Sequence, residues 1–496
     1  MPRDPAPPPP VRELDWPPER ARELGARILD LYAGLLEDLP EGPVSPRVTT
    51  KGVRAAVALE VPEDPLGDDE LVGHLRAMLD HSLRPGSGGF LAYITGAGTV
   101  PGALADVLAS GLNANLGAWM LSPAATEIEL QLVRWLAASF GLPPGAGGTA
   151  VSGGALANLT AIKVARDRAA PAVRTGGLGE APPLRIYASA EAHFTAKRAA
   201  DVLGLGESAV RVAATDELLA MRVDDLARLI EEDLAVGARP IAIVATAGTT
   251  GTGAIDPLDA IADVAARFGV WLHVDAAYGG AAVLSDDLRD LLRGIERADS
   301  ITFDAHKWLY APVVSAFLLL RDPELLQRSF SAEASYIVQE REVADRGADL
   351  GFEGLQLSRS FSALRVWVAL LAHGRRAFVR RIEHDVALTR WLADRVEEAP
   401  DLELACPPSL SICCFRYLPE GVDDDAYVDA LTMRIVTELQ LDGRVFPSNA
   451  LVHGRAAIRS CIVGYRTEAE HLQRLVDRAR EVGARVHGSG AVRRPR

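Results

Sequence analysis

The stretch VWLHVDAAYGGAAVLSDDLRDLLRGIERADSITFDAHKWLY, Val270 to Tyr310, contains two short runs, Val270 to Asp275 and Ser300 to Asp304. Both are rich in β-branched and aromatic residues and both close on an aspartate, as expected of buried strands that end at a polar edge. Similar runs recur at Thr149 to Ser152, Arg185 to Ser189, Ala209 to Ala213, Ile241 to Thr246 and Ser315 to Leu320. Helix-length periodic segments separate them. Alternation of this kind predicts an α/β fold with a large, mostly parallel, seven-stranded sheet covered by helices on both faces. In such sheets ligands sit beyond the carboxyl ends of the strands.

Around this centre the chain divides by composition. Residues 1–16 form a proline-rich terminus expected to be disordered, and 488–496 a Gly, Ser and Arg tail with no periodic pattern. Leu24, Ile28, Leu31, Leu35 and Leu36 recur at helical spacing and predict an amphipathic helix within an N-terminal helical segment, 17–95. The large domain is expected over 96–385, and Phe361 to Glu398 reads as one long helical stretch. A smaller α+β domain, 386–487, follows from strand-like Leu410 to Tyr417 and Ala457 to Val463 with helices near Asp425 to Leu439 and Glu468 to Val482.

With 48% hydrophobic and 24% charged residues, the balance is that of a folded globular chain. A net charge of -15 repels nucleic acid and anionic membranes, so neither is an expected partner. Apolar runs such as Ala311 to Leu320 fall far short of the roughly 18 residues that span a bilayer. The N-terminus has no charged segment leading into an apolar core, so a cytoplasmic location is expected. Cys406, Cys413, Cys414 and Cys461 are too few and too irregular for a disulfide framework or a metal site and are expected to be reduced. No metal is expected.

Arginine has replaced lysine almost everywhere. The four lysines are Lys51, Lys163, Lys197 and Lys307, and Lys307 follows a predicted strand in DAHKWLY (304–310). An amine can deprotonate and form an imine, which a guanidinium cannot, so a retained lysine at a strand end points to covalent carbonyl chemistry. Asp275, in HVDAAYGG (273–280), is placed to accept a hydrogen bond from a protonated ring nitrogen, although an aspartate there also fits a turn cap. In SGGALAN (152–158) small residues meet a helix start, a place where backbone amides can approach a phosphate. His193 follows another predicted strand and could stack on a cofactor or move a proton. Each feature alone is common. Their convergence on the ends of one sheet is not.

In order along the chain, these motifs resemble the group II pyridoxal-phosphate (PLP) amino-acid decarboxylases, a family that includes aromatic amino-acid, glutamate and cysteine-sulfinate decarboxylases. The resemblance extends to FLAYITGAGTVPGALAD (90–106), WMLSPAATEIE (119–129) and AAIRSCIVGYRTEAEHLQRLVD (456–477). It implies PLP fold type I, the aspartate-aminotransferase-like fold, and a homodimer whose N-terminal helices pack across the interface. It also implies PLP held as a Schiff base on Lys307, Asp275 at the ring nitrogen, His193 over the ring and Ala277 beneath it. Gly153, Gly154, Ala155, Asp304 and His306 would surround the phosphate, Thr246 would lie near the ring, and Tyr93, Trp119 and Tyr336 are substrate candidates.

Two departures stand out. Ala155 replaces the usual hydroxyl residue of the phosphate segment, and the loop tyrosine that protonates the substrate carbon in many members has no counterpart near Leu350 or Phe352. The expected activity is decarboxylation of an L-amino acid to its amine. The alternatives are a decarboxylative aldehyde synthase or another carbon-carbon lyase, and a catalytically degenerate binding protein. Without the loop tyrosine, Tyr336, His193, Lys307 or water would supply the proton.

Overall fold

The computed structural model describes residues 12–179, 181–331 and 347–492. Residues 1–11 of the proline-rich terminus, 493–496 of the tail, and Tyr336 lie outside them.

Twelve strands occur among the described residues. The first, β1, is Phe90–Leu91, and seven more build the large sheet: β2 (Gly147–Val151), β3 (Leu184–Ser189), β4 (Val210–Ala213), β5 (Arg239–Thr246), β6 (Trp271–Asp275), β7 (Ser300–Asp304) and β8 (Ala316–Leu320). Their order is β2-β8-β7-β6-β5-β3-β4, with β8 antiparallel to both neighbours and every other pair parallel. All seven expected strands are present, with ends shifted by up to two residues. β6, β7 and β8 are buried along their whole length because helices cover both faces, which explains their apolar runs.

The smaller sheet has the order β1-β11-β12-β10-β9, formed with β9 (Leu402–Leu404), β10 (Ile412–Tyr417), β11 (Phe446–Val452) and β12 (Arg455–Cys461). Phe90 and Leu91 pair in parallel with Phe446 and Pro447, so the N-terminal segment is tied into this sheet. Helices Asp425–Asp442 and Ala469–Gly488 pack on it around a core that includes Phe415, Leu431, Ile458 and Leu475.

The single long helix expected over Phe361 to Glu398 is a pair, Ala363–His373 and Arg375–Glu398. Gly374 breaks it at φ 71, in the left-handed region that glycine enters without a Cβ clash. Pro18–Asp38 is the expected amphipathic helix, but of its stripe only Leu24 is buried within one protomer. No helix among the described residues is long and apolar enough to cross a membrane. The four cysteines are free; three are buried and Cys406 is half-buried.

Candidate active site

The strand ends create the site. β7 finishes on Asp304, and the turn after it brings Lys307 back so that its amide donates to Asp304 O at 3.0 Å. The same turn sets Lys307 Nζ 3.0 Å from Asp304 Oδ2. Beyond Lys307 the chain is clamped from below. Trp308 Nε1 and Tyr310 Oη donate to Asp385 Oδ2 at 2.9 and 2.6 Å, and Arg381 Nε donates to Asp385 Oδ1 at 2.8 Å. Burial pushes the Asp385 carboxyl up to about 6, and the Arg381 charge opposes that shift.

Asp275 ends β6 beside Thr246 at the end of β5, the two being register partners. Its Oδ2 accepts from Asn158 Nδ2 at 2.7 Å and its Oδ1 from the Ala277 amide at 3.2 Å. Thr246 Oγ1 is buried without a hydrogen-bond partner among the described residues, and so is Asp304 Oδ1. Unpaired buried polar atoms of this kind call for a ligand. His193 Nδ1 lies 3.0 Å from Thr195 Oγ1, and burial lowers the imidazole pKa against the pull of Asp275.

Beside Asp304, Gly153 (φ 115) precedes the helix Gly154–Ala169. A Cβ on Gly154 would lie 2.9 Å from Asp304 Oδ2, so this close approach requires glycine. The first amides of the helix lack intrahelical acceptors and suit an anion.

Lys307, Asp275, His193, Ala277, Thr246, Asp304, Gly154 and Ala155 line one cavity. Gly153 and His306, also expected at the phosphate, are not among the lining residues; His306 Nδ1 is held 3.0 Å from Ser315 O. Tyr93 and Trp119 do not line it within one protomer. Tyr93 is 60% exposed, and Trp119 donates from Nε1 to Glu127 Oε1 at 3.0 Å. Leu350 is fully buried in a short turn, Leu350–Phe352, with its carbonyl accepting from Arg359 at 3.3 Å; it packs in the core and does not line the cavity.

Scarcity alone does not separate Lys307 from Lys163, but geometry does. The Lys163 amine is bound to Asp167 Oδ2 and Ser329 O, both at 2.6 Å, as a structural tie between helices.

Asn158, Thr195, Thr250 and Tyr278 also line the cavity and were not read from the sequence as site residues. Arg459 was missed as well. It is 3% exposed, donates to Gly251 O and Tyr93 O at 3.0 Å each, and so joins the small domain to the cavity's rim. Its only sequence signal is a guanidinium inside the apolar run AAIRSCIV (456–463).

The family profile described as "Pyridoxal-dependent decarboxylase conserved domain" matches residues 51–418. The chain belongs to that family. It is 33% identical over 469 residues to an aromatic-L-amino-acid decarboxylase of Bacillus atrophaeus, covering 94% of this chain and 96% of the relative. It is 28% identical over 474 residues to a phenylacetaldehyde synthase of a Rosa hybrid cultivar, covering 92% of each. The crystal structure of Oryza sativa TDC with PLP and tryptamine superposes with a TM-score of 0.90 at 25% identity, covering 95% of this chain and 99% of that one. This pyridoxal-dependent decarboxylase therefore has fold type I, uses PLP and is an amino-acid carboxy-lyase.

Proposed function

We propose that the chain converts an L-amino acid to its amine and CO2 at this cavity, with PLP attached to Lys307. The observation that carries the reading is that the Lys307 amine, the Asp275 carboxylate and His193 share one cavity at the strand ends. The residues fit the cofactor. An amine is available for attachment, a carboxylate for the ring nitrogen, and a helix N-terminus for the phosphate.

Bound PLP supplies an electron sink for the pair left behind when CO2 departs. The chain's own residues orient it. Asp275 holds the ring-nitrogen proton, and His193 and Ala277 bracket the ring. The amides of 153–155 carry the phosphate without a hydroxyl from Ala155. Asp304, already paired with Lys307, steadies the amine more than it contacts an anion. His193 and Lys307 are the described groups that can deliver a proton to the substrate carbon.

Decarboxylation to an aldehyde is a second reading. Leu350, at the place of the family's loop tyrosine, has no proton to give and is packed away from the cavity. In that outcome oxygen and water are consumed and aldehyde, CO2, ammonia and hydrogen peroxide are released. A panel of amino acids followed for CO2, amine and aldehyde identifies the substrate and separates the readings. We expect at least part of the CO2 to be accompanied by amine, and the amine share to rise when oxygen is removed. One amine per CO2 with and without oxygen would eliminate the aldehyde reading.

A homodimer is also part of this reading. On the helix Val100–Gly111 and the turns after it, Leu104, Val107, Leu108, Leu112, Met120 and Leu121 are each 43% exposed or more within one protomer. An apolar surface of that extent calls for a partner, and Met120 and Leu121 adjoin Trp119 in the chain. Sedimentation should give a dimer, and Leu108→Glu should shift it towards monomer with loss of activity. An active wild-type monomer would contradict the dimer.

A further inference from the structure

A continuous hydrogen-bonded chain runs beneath the sheet ends into Asp275, and none of its members touches the cofactor attachment point. Trp271 Nε1 donates to Ser300 Oγ at 2.8 Å, and Ser300 Oγ lies 2.8 Å from His273 Nδ1. His273 Nε2 is 3.0 Å from Asn158 Oδ1, to which Thr302 Oγ1 also donates at 2.6 Å. Asn158 Nδ2 then donates to Asp275 Oδ2 at 2.7 Å and to Thr195 Oγ1 at 2.8 Å.

Hydrogen-bond roles in this chain follow from chemistry alone. A carboxylate only accepts, so the amide nitrogen of Asn158 faces Asp275 and its oxygen faces the other side. That oxygen also only accepts, so His273 carries its proton on Nε2 and its Nδ1 accepts from the Ser300 hydroxyl. Ser300 in turn accepts from Trp271. Full burial keeps His273 neutral by lowering its pKa, which agrees with this single-proton assignment. The donors from Trp271 through Ser300 and His273 to Asn158 run in one direction, towards Asp275. Both amide protons and both lone-pair directions of Asn158 are used, so the side chain cannot rotate without breaking several buried bonds at once.

We propose that Asn158 is a positioning residue that aims the Asp275 carboxylate at the cofactor's ring nitrogen, with its own orientation set by His273 and Thr302. One oxygen, Oδ2, is occupied by the amide; Oδ1 is left with a single long bond to the Ala277 amide and can meet the ring N–H. The proposal rests on the assignment of Asp275 to the ring nitrogen. It adds that the carboxylate is not sufficient by itself. Strands β6 and β7 and the helix Gly154–Ala169 act on it through one amide.

The test uses holoenzyme loaded with PLP carrying ¹⁵N in the ring, because the nitrogen's chemical shift reports its protonation apart from turnover. Wild type should show a protonated nitrogen and Asp275→Ala an unprotonated one. Asn158→Leu should move the signal towards the unprotonated position and lower kcat about tenfold or more, the scale on which outer partners orient a functional group, with little change in KM. If Asn158→Leu does not fold, His273→Leu and His273→Gln decide. Gln can present an N–H at about the reach of Nε2, so a shift and a kcat lost in Leu and restored in Gln support the proposal. A wild-type shift and kcat in Asn158→Leu, or in both His273 variants, would overturn it while leaving the role of Asp275 intact. A protonated nitrogen in Asp275→Ala would overturn the assignment of Asp275 and the proposal together.

Discussion

Lys307→Ala should lower turnover by at least about 10³-fold, since it removes both the covalent positioning of the cofactor and a candidate proton carrier. The substitution also strips Asp304 of its cation. Asp304 is 2% exposed and its Oδ2 is 3.0 Å from the lysine, so the alanine variant leaves a buried carboxylate unpaired. A loss of about 3 kcal/mol in stability is expected on that ground. Lys307→Arg separates the two effects, because a guanidinium can keep the pair with Asp304 but cannot form an imine. Arginine should therefore restore the melting temperature and leave activity at the alanine level. Activity near wild type in the arginine variant would rule out covalent attachment at this position.

Asp275→Ala should have the second largest effect. The cofactor keeps its attachment at Lys307 and its phosphate contacts at the helix Gly154–Ala169, so binding should survive. What is lost is the charge that favours a protonated ring. Removing one preorganised electrostatic partner costs about 10² to 10³ in kcat in comparable sites, and a loss on that scale is expected. Normal kcat with normal cofactor content would show that the ring needs no acceptor at Asp275.

The large sheet was legible because its central strands, β6 and β7, are buried along their whole length, read as apolar runs and end at a motif. Asp275, Asp304 and Lys307 stand where β6 and β7 end, so one pattern located both fold and site. The smaller sheet was only half visible. β1 is two residues long, too short for any period, and β11 contains Pro447, Ser448 and Asn449, which dilute its strand character although its burial alternates. Helical periodicity runs straight through Gly374, and only a positive φ reveals the break. Asn158 lay inside the SGGALAN motif, but its importance depends on β6 and β7 presenting Asp275, His273 and Thr302 around it, which a one-dimensional pattern does not carry. Leu350 shows the reverse. The resemblance set it near the place of a loop tyrosine, whereas the chain folds it into the core.

The central claim is that this decarboxylase carries its cofactor on Lys307. Borohydride reduction of the purified holoenzyme followed by peptide mapping tests it directly, because reduction fixes PLP to the amine that holds it. Four lysines make the map unambiguous. The label should fall on the peptide containing Lys307 and on no other. Labelling at Lys51, Lys163 or Lys197 in its place, or cofactor released intact after reduction, would contradict the account.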